Sequence, residues 1–325
     1  MTGHSCPVCR NSDGHQTLRA TDYFLGSLDN FTYNRCGQCG HLVLVVEDHV
    51  GGGEFGRGKF DEKDEKVVVD VLDHPVLGWG FYQPRSQWIA GRTGLGQHHK
   101  ILDVGCGSGH FLQTVHRQFG CECVGLDLDP AFEHHASKQA VRRVTGDFES
   151  YDTDEQFDLI TMFHLIEHLN NPAASIRKAW ELLKPGGYLY IETPAADSLA
   201  FGLFKEYWLP WFPPYHRHVF TRNSLTQMMG EQFSSGNRIQ PSACWVPLEI
   251  IVSTWLWWGR IGPHPFRRGK RNLPLKLIAT LGMGLSSVLA LPLELAIGAT
   301  TDLVDGMSQF RLLLAAHQRV LCKKA

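Results

Sequence analysis

The stretch ILDVGCGSGHFL, residues 101–112, decides the fold. Ile101 and Leu102 lead into Asp103, Gly105, Gly107 and Gly109 follow at alternate positions, and a helical pattern begins at once. This order predicts a buried parallel strand, a glycine turn and a helix N-terminus. Glycine lets the backbone approach a ligand closely, and the start of a helix offers N–H groups to it. The run therefore points to a nucleotide-like cofactor. A dinucleotide site needs GxGxxG; here the third glycine of GCGSG arrives one residue early, which disfavours a nicotinamide cofactor.

Working outward, strands and helices alternate. CVGLDL (123–128) reads as a second strand, 130–139 as a helix and VRRVTGDF as a third strand. FDLITMF (157–163) reads as a fourth strand, 172–183 as a helix and GGYLYIETP (186–194) as a fifth strand. Alternation at this pitch predicts an α/β fold, a parallel sheet with helices on both faces. Ligands in such sheets bind beyond the carboxyl ends of the strands.

Composition narrows the function classes. The chain has 325 residues, 43% hydrophobic and 20% charged, enough for a sizeable core. A formal net charge of −2 gives no global field for nucleic acid. Nine cysteines behind a polar start, MTGHSCPVCRNSDG, predict a reducing compartment and a cytoplasmic location. Four of the cysteines form two pairs, Cys6–Cys9 and Cys36–Cys39, each spaced CxxC. Two such turns aim four thiolates at one point, the tetrahedral set that structural Zn²⁺ takes. His4, His15 and His41 lie nearby, but four thiolates already complete the shell. Cys106, Cys121, Cys123, Cys244 and Cys322 lack this spacing and read as small buried residues.

The organisation follows. Residues 1–48 read as a zinc-ribbon-like module and 49–78 as a linker or lid. The segment GGGEFGRGKF (51–60) is glycine-rich but lacks the GxxxxGK[ST] spacing of a phosphate loop. Residues 79–240 read as the cofactor-binding core, which begins with a packing helix at 79–93. Residues 241–325 read as completion of the sheet, with QFRLLLAAH (309–317) as a last, antiparallel strand around an apolar helical insert.

The core resembles class I S-adenosylmethionine-dependent methyltransferases. The glycine run resembles their first motif. Asp127 in VGLDLDP matches the family's acidic residue that binds ribose hydroxyls, with Leu128 beside it. Asp147 and Phe148 in TGDFES match the segment that meets the adenine. FDLITMFHLIEHLNNP, with Phe163 at its strand end, and LLKPGGYLYIETP match the fourth and fifth strands with their turns. The resemblance covers about 100–240. It implies a Rossmann-like seven-stranded sheet ordered 3-2-1-4-5-7-6, and S-adenosylmethionine as cofactor. Asp103, Gly105, Gly107, Gly109, Asp127, Leu128, Asp147, Phe148 and Phe163 would line its site. The family group in which a two-knuckle zinc module precedes the domain includes small-molecule and sugar-modifying enzymes.

The acceptor side is read from two histidine-rich loops. HLIEH puts His164, Glu167 and His168 at the carboxyl end of the fourth strand. The run allows a general base, a divalent-metal pair or a brace for the loop; its likeness to an inverted zinc-peptidase pattern is excluded by the strand-end context. PPYHRHVFTRNSL (213–225) carries His216 and His218, with Thr221 or Asn223 placed to cap a helix. If one histidine is a base, His218 is preferred, then His164. YWLPWF (207–212) suits either an acceptor wall or apolar packing.

LIATLGMGLSSVLALPL (277–293) has no charge, and WVPLEIIVSTWLWWG precedes a basic HPFRRGKRN. A buried insert is the first reading, peripheral membrane contact through 245–300 the second, and a span the last. Together these features predict methyl transfer to a small-molecule, sugar or lipid-linked acceptor, with oxygen as the target atom. Sugar C-methylation, RNA modification and a non-catalytic scaffold are the alternatives. The ribbon's basic patch, Arg10, Arg19 and Arg35, is thin for RNA.

Overall fold

The computed structural model describes residues 5–22, 29–45, 75–128, 141–232, 238–244 and 317–325. The linker 49–74, the helix expected at 130–139 and the apolar segments of 245–316 lie outside the described residues. The chain divides into two compact units. One comprises Met1–Gly58, Pro194–Gln227 and Ser242–Gln318; the other comprises Lys59–Thr193, Met228–Pro241 and Arg319–Ala325.

The second unit is built on a parallel sheet. β4 (Lys100–Val104) pairs in parallel with β5 (Glu122–Asp127) and β7 (Phe157–Phe163), β5 with β6 (Val141–Thr145), and β7 with β8 (Leu183–Pro194). With β10 (Arg238–Cys244) and β11 (His317–Lys323) the order is β10-β11-β8-β7-β4-β5-β6. Counted from β4, this is the expected 3-2-1-4-5-7-6 read from the other edge. The central strands read as continuous apolar runs because helices cover both faces of such a sheet.

Helices pack on that sheet. α1 (Pro75–Thr93) precedes β4, and α2 (His110–Phe119) follows the glycine turn, burying Phe111, Leu112 and Val115. Gly120, left-handed at φ +73°, ends α2 by donating its N–H to the His116 carbonyl at 2.8 Å. α3 (Pro172–Glu181) starts at Asn171, whose side chain accepts the Ala174 N–H at 3.1 Å, with Pro172 in the first turn. Ile89, Ile101, Phe111, Leu112, Val115, Cys123, Leu159 and Tyr190 form one core cluster.

The first unit is a four-stranded sheet, β1 (Gln16–Thr21), β2 (Asn30–Arg35), β3 (Leu42–Val45) and β9 (His218–Val219), antiparallel at each step. Its core joins Tyr33 and Leu42 to Trp208, Trp211 and Val219, with α4 (Leu199–Phe204) alongside. Residues 1–48 thus share a sheet and a core with 194–220, where the sequence reading had them as a module of their own. Of the two readings of YWLPWF, Trp208 and Trp211 take the packing one, at 1% and 3% exposure.

The last described strand is β11, His317–Lys323; residues 309–316 of the strand expected at 309–317 lie outside the described residues. His317 to Cys322 are all buried, so the strand has no polar alternation to mark it. Among the described residues no helix is long and apolar enough to cross a membrane; 277–293 lies outside them.

Candidate functional site

The glycine turn sits where β4 ends. Gly105 and Cys106 both donate N–H bonds to the Leu126 carbonyl, at 2.8 and 3.2 Å, which ties the turn to β5. Gly105 and Gly107 have φ of +71° and +49°, left-handed conformations costly for other residues, and Gly109 enters α2 at +76°. A Cβ on Gly105 would lie 2.9 Å from Leu165 Cδ1, whereas one on Gly107 would meet nothing within 4 Å. One side of the turn is packed, and the space at Gly107 is open.

Asp127 ends β5 beside it. Its Oδ2 accepts the Gly107 N–H at 2.8 Å, and its carbonyl accepts the Gly146 N–H. Leu128, next in the chain, is 52% exposed. Asp147 heads a turn, accepting the Glu149 N–H at 2.9 Å, and Phe148 is buried under the Lys178 ammonium. Asp103 is buried in β4 and accepts the Thr161 hydroxyl at 2.6 Å. Burial pushes its carboxyl up to about 7, against the Thr161 bond and with the Asp127 charge adding to the rise. Phe163 faces an aromatic cluster, its ring 4.6 Å from Phe111 and 5.0 Å from Tyr190.

His164 has φ +49°, and both its ring nitrogens face carboxylates, Glu167 and Glu192, each at 3.4 Å. Burial alone would lower the imidazole; the two carboxylates override it and hold it up at about 9. A charged imidazole has no lone pair with which to take a proton. His164, the second choice of base in the sequence reading, stands paired between two acids.

In the first unit the four cysteines converge. Their sulfurs lie within 4.8 Å of one another, with Cys6–Cys39 at 3.6 Å and Cys9–Cys36 at 3.4 Å, and none forms a disulfide. A tetrahedral zinc with Zn–S bonds of about 2.3 Å separates its sulfurs by about 3.8 Å, so the donor set fits. Each knuckle closes through its backbone: Arg10 N–H to the Cys6 carbonyl, and Gly40 N–H to the Cys36 carbonyl. The hydrogen bond between the Cys6 and Cys39 sulfurs holds Cys6 down at about 5.

Behind the knuckles, His218 is buried with its Nδ1 3.1 Å from His41 Nε2, and Thr221 Oγ1 donates to the Cys39 carbonyl at 2.7 Å. Tyr33 donates to the His216 carbonyl at 2.7 Å. His218 thereby braces the cysteine module. Thr221 also caps α5 (Arg222–Gln232), accepting the Ser224 N–H at 3.1 Å, while Asn223 lies inside that helix.

Residues 82–233 match the family described as methyltransferase domain. That match spans just under half of the chain. The ubiquinone biosynthesis O-methyltransferase of Pseudomonas fluorescens is 33% identical over 117 residues, covering 34% of this chain and 50% of that protein. The Pseudomonas entomophila protein of the same name is 33% identical over 141 residues, covering 40% and 60%. The match thus spans about half the length of these relatives. The plantazolicin methyltransferase BpumL, solved in complex with a monoazolic desmethylPZN analog and SAH, has a TM-score of 0.50 at 15% identity, covering 81% of this chain and 91% of that one. That likeness shows a shared fold.

Within the matched segment the structure brings Asp103, Gly105, Gly107, Gly109 and Asp127 to adjacent strand ends, and sets Phe163 in the packing behind. Sequence reasoning missed the buried cluster in which Arg85 and Tyr190 both donate to Glu192. The signal for Glu192 was present: a carboxylate closing the otherwise apolar run YLYIE. Arg85 carried none, since an arginine in a helix usually faces water.

Proposed function

We propose that this chain transfers the methyl group of S-adenosylmethionine to an oxygen of a small-molecule acceptor. The observation that carries this reading is the open glycine turn with the Asp127 carboxylate fixed beside it by the Gly107 N–H. Residues here fit that cofactor. Asp127 offers acceptor oxygens to a vicinal diol. Asp103 supplies a buried carboxylate under the turn for the ligand's ammonium, and Asp147 and Leu128 border the base.

When bound, the cofactor supplies a methyl group on positively charged sulfur. The protein's work is then to hold cofactor and acceptor in line and to keep water out. Removal of a proton from the acceptor hydroxyl is assigned to a group other than His164. His218, the first choice of the sequence reading, is buried in the first unit and bonded to His41.

The oxygen target is supported by the two relatives named O-methyltransferases. A sugar or lipid-linked acceptor and peripheral membrane contact through 245–300 belong to the same reading, supported by the apolar and basic sequence there. The four cysteines hold a structural Zn²⁺ in this proposal. Binding of S-adenosylhomocysteine, followed by calorimetry in wild type and Asp127→Ala, tests the cofactor. Methyl-labelled cofactor offered with hydroxylated aromatics and sugars tests the acceptor, because NMR of the product separates O-methyl from C-methyl.

A further inference from the structure

A buried chain of charges in the second unit has no part in the methyl transfer described above. It starts on α1, where Arg85, 4% exposed, donates from Nε and Nη2 to Glu192 Oε1 at 2.9 and 2.6 Å. Tyr190 donates its hydroxyl to the other oxygen of Glu192 at 2.6 Å. Glu192 Oε1 lies 3.4 Å from His164 Nε2, and His164 Nδ1 lies 3.4 Å from Glu167 Oε1. Thr193 Oγ1 closes the chain by donating to Glu167 Oε2 at 2.9 Å. Two cations and two carboxylates alternate, so the cluster is neutral as a whole.

Two facts argue that this arrangement does more than stabilise. Buried ion pairs are commonly no better for stability than apolar residues of the same shape, because desolvation offsets the attraction. And His164 is held left-handed, a strain that persists only where its surroundings impose it. The surroundings do so twice, through the two carboxylates and through the His164 N–H, which donates to the Glu192 carbonyl at 2.9 Å. The next residue, Leu165, is the one whose Cδ1 stands against Gly105, and a tight turn follows in which the His168 N–H returns to the Leu165 carbonyl. Arg85 and Glu192 thus fix His164, and His164 fixes the side chain that packs the glycine turn.

We propose that the Arg85–Glu192–His164–Glu167 chain is a positioning device for the cofactor, in which His164 is the central cation and presses Leu165 onto Gly105. The inference rests on the cofactor reading above. It makes His164 and Arg85 positioning residues rather than catalytic ones.

The test uses the full chain, with S-adenosylhomocysteine as the probe and titration calorimetry as the readout. His164→Gln loses about tenfold in affinity. Arg85→Met loses a similar amount, and Arg85→Lys, which keeps one charged donor, recovers part of it. Wild-type affinity rises as Asp103 ionises near pH 7 and falls as His164 gives up its proton near pH 9. That fall is shallower in His164→Gln, where only the ligand's own ammonium titrates, a signature that a merely structural role would not produce. Should His164→Gln fail to fold by circular dichroism, Glu167→Gln serves instead; it removes one carboxylate and moves the fall to lower pH. The proposal is overturned if wild type binds the probe while the folded variants bind it equally well with the same pH profile. If wild type does not bind it at all, the cofactor reading itself has failed.

Discussion

The backbone N–H of Gly107 donates to the carboxylate of Asp127 over 2.8 Å, linking the turn after β4 to the end of β5. Two neighbouring strand ends thereby fix each other's polar groups, an N–H and a carboxylate, at the edge of an open space. Asp127→Ala removes both the acceptor for that N–H and the oxygens offered to a diol. We expect S-adenosylhomocysteine affinity to fall at least about tenfold, the scale of a hydrogen bond to a charged group, with the melting temperature little changed. Calorimetry and a thermal scan on the same preparation separate the two effects.

Gly105 and Gly107 make contrasting predictions. Both are left-handed, so alanine at either costs about 1 kcal/mol in backbone conformation. At Gly105 the new methyl also meets Leu165 Cδ1 at 2.9 Å, so Gly105→Ala is the more destabilising in chemical denaturation. At Gly107 the methyl enters open space. Gly107→Ala should therefore keep most of its stability and lose ligand affinity. Equal stability losses in the two variants would count against the packing described for Leu165.

Asp103 is a buried acid with its pKa raised to about 7, so the folded state binds its proton more tightly than the unfolded chain does. Its burial therefore costs stability as pH rises from about 4 through 7, and costs nothing below that range. Asp103→Asn keeps an oxygen for the Thr161 hydroxyl and removes the charge. It should raise the melting temperature by a few degrees at pH 8, by less at pH 5, and weaken cofactor binding. A melting temperature lowered at both pH values would show that the charged form is the stabilised one.

The metal prediction reaches beyond the cysteines. Thr221 bonds to the Cys39 carbonyl and His218 to His41, so the knuckle holds the chain at 218–221. Metal analysis should return about one zinc per chain, and Cys36→Ser should lose it. Because Trp208 and Trp211 share the core of β2 and β3, the same substitution should change tryptophan fluorescence as well as metal content. A folded, zinc-free wild type would dismiss the site.

Much of the fold was legible because its signals are local. The glycine run, the CxxC pairs and the β-branched and aromatic strands each declare themselves within a few residues. What was not legible depends on pairing across distance. Nothing in HRHVF reveals that His218 and Val219 pair with Val43 and Leu42 and so join the N-terminal sheet. Nor does Arg85 announce Glu192, 107 residues away. His164 was visible as a histidine at a strand end, but its role turned on the two carboxylates around it. One of these, Glu167, is on the same turn, and the other arrives from β8.

The central claim, that the glycine turn and Asp127 form a site for S-adenosylmethionine, is tested most directly by titrating the full-length wild-type protein with S-adenosylhomocysteine in a calorimeter. The account predicts saturable binding of one equivalent per chain, strongly weakened in Asp127→Ala. No saturable heat from a folded wild type, or identical binding by wild type and Asp127→Ala, would contradict it.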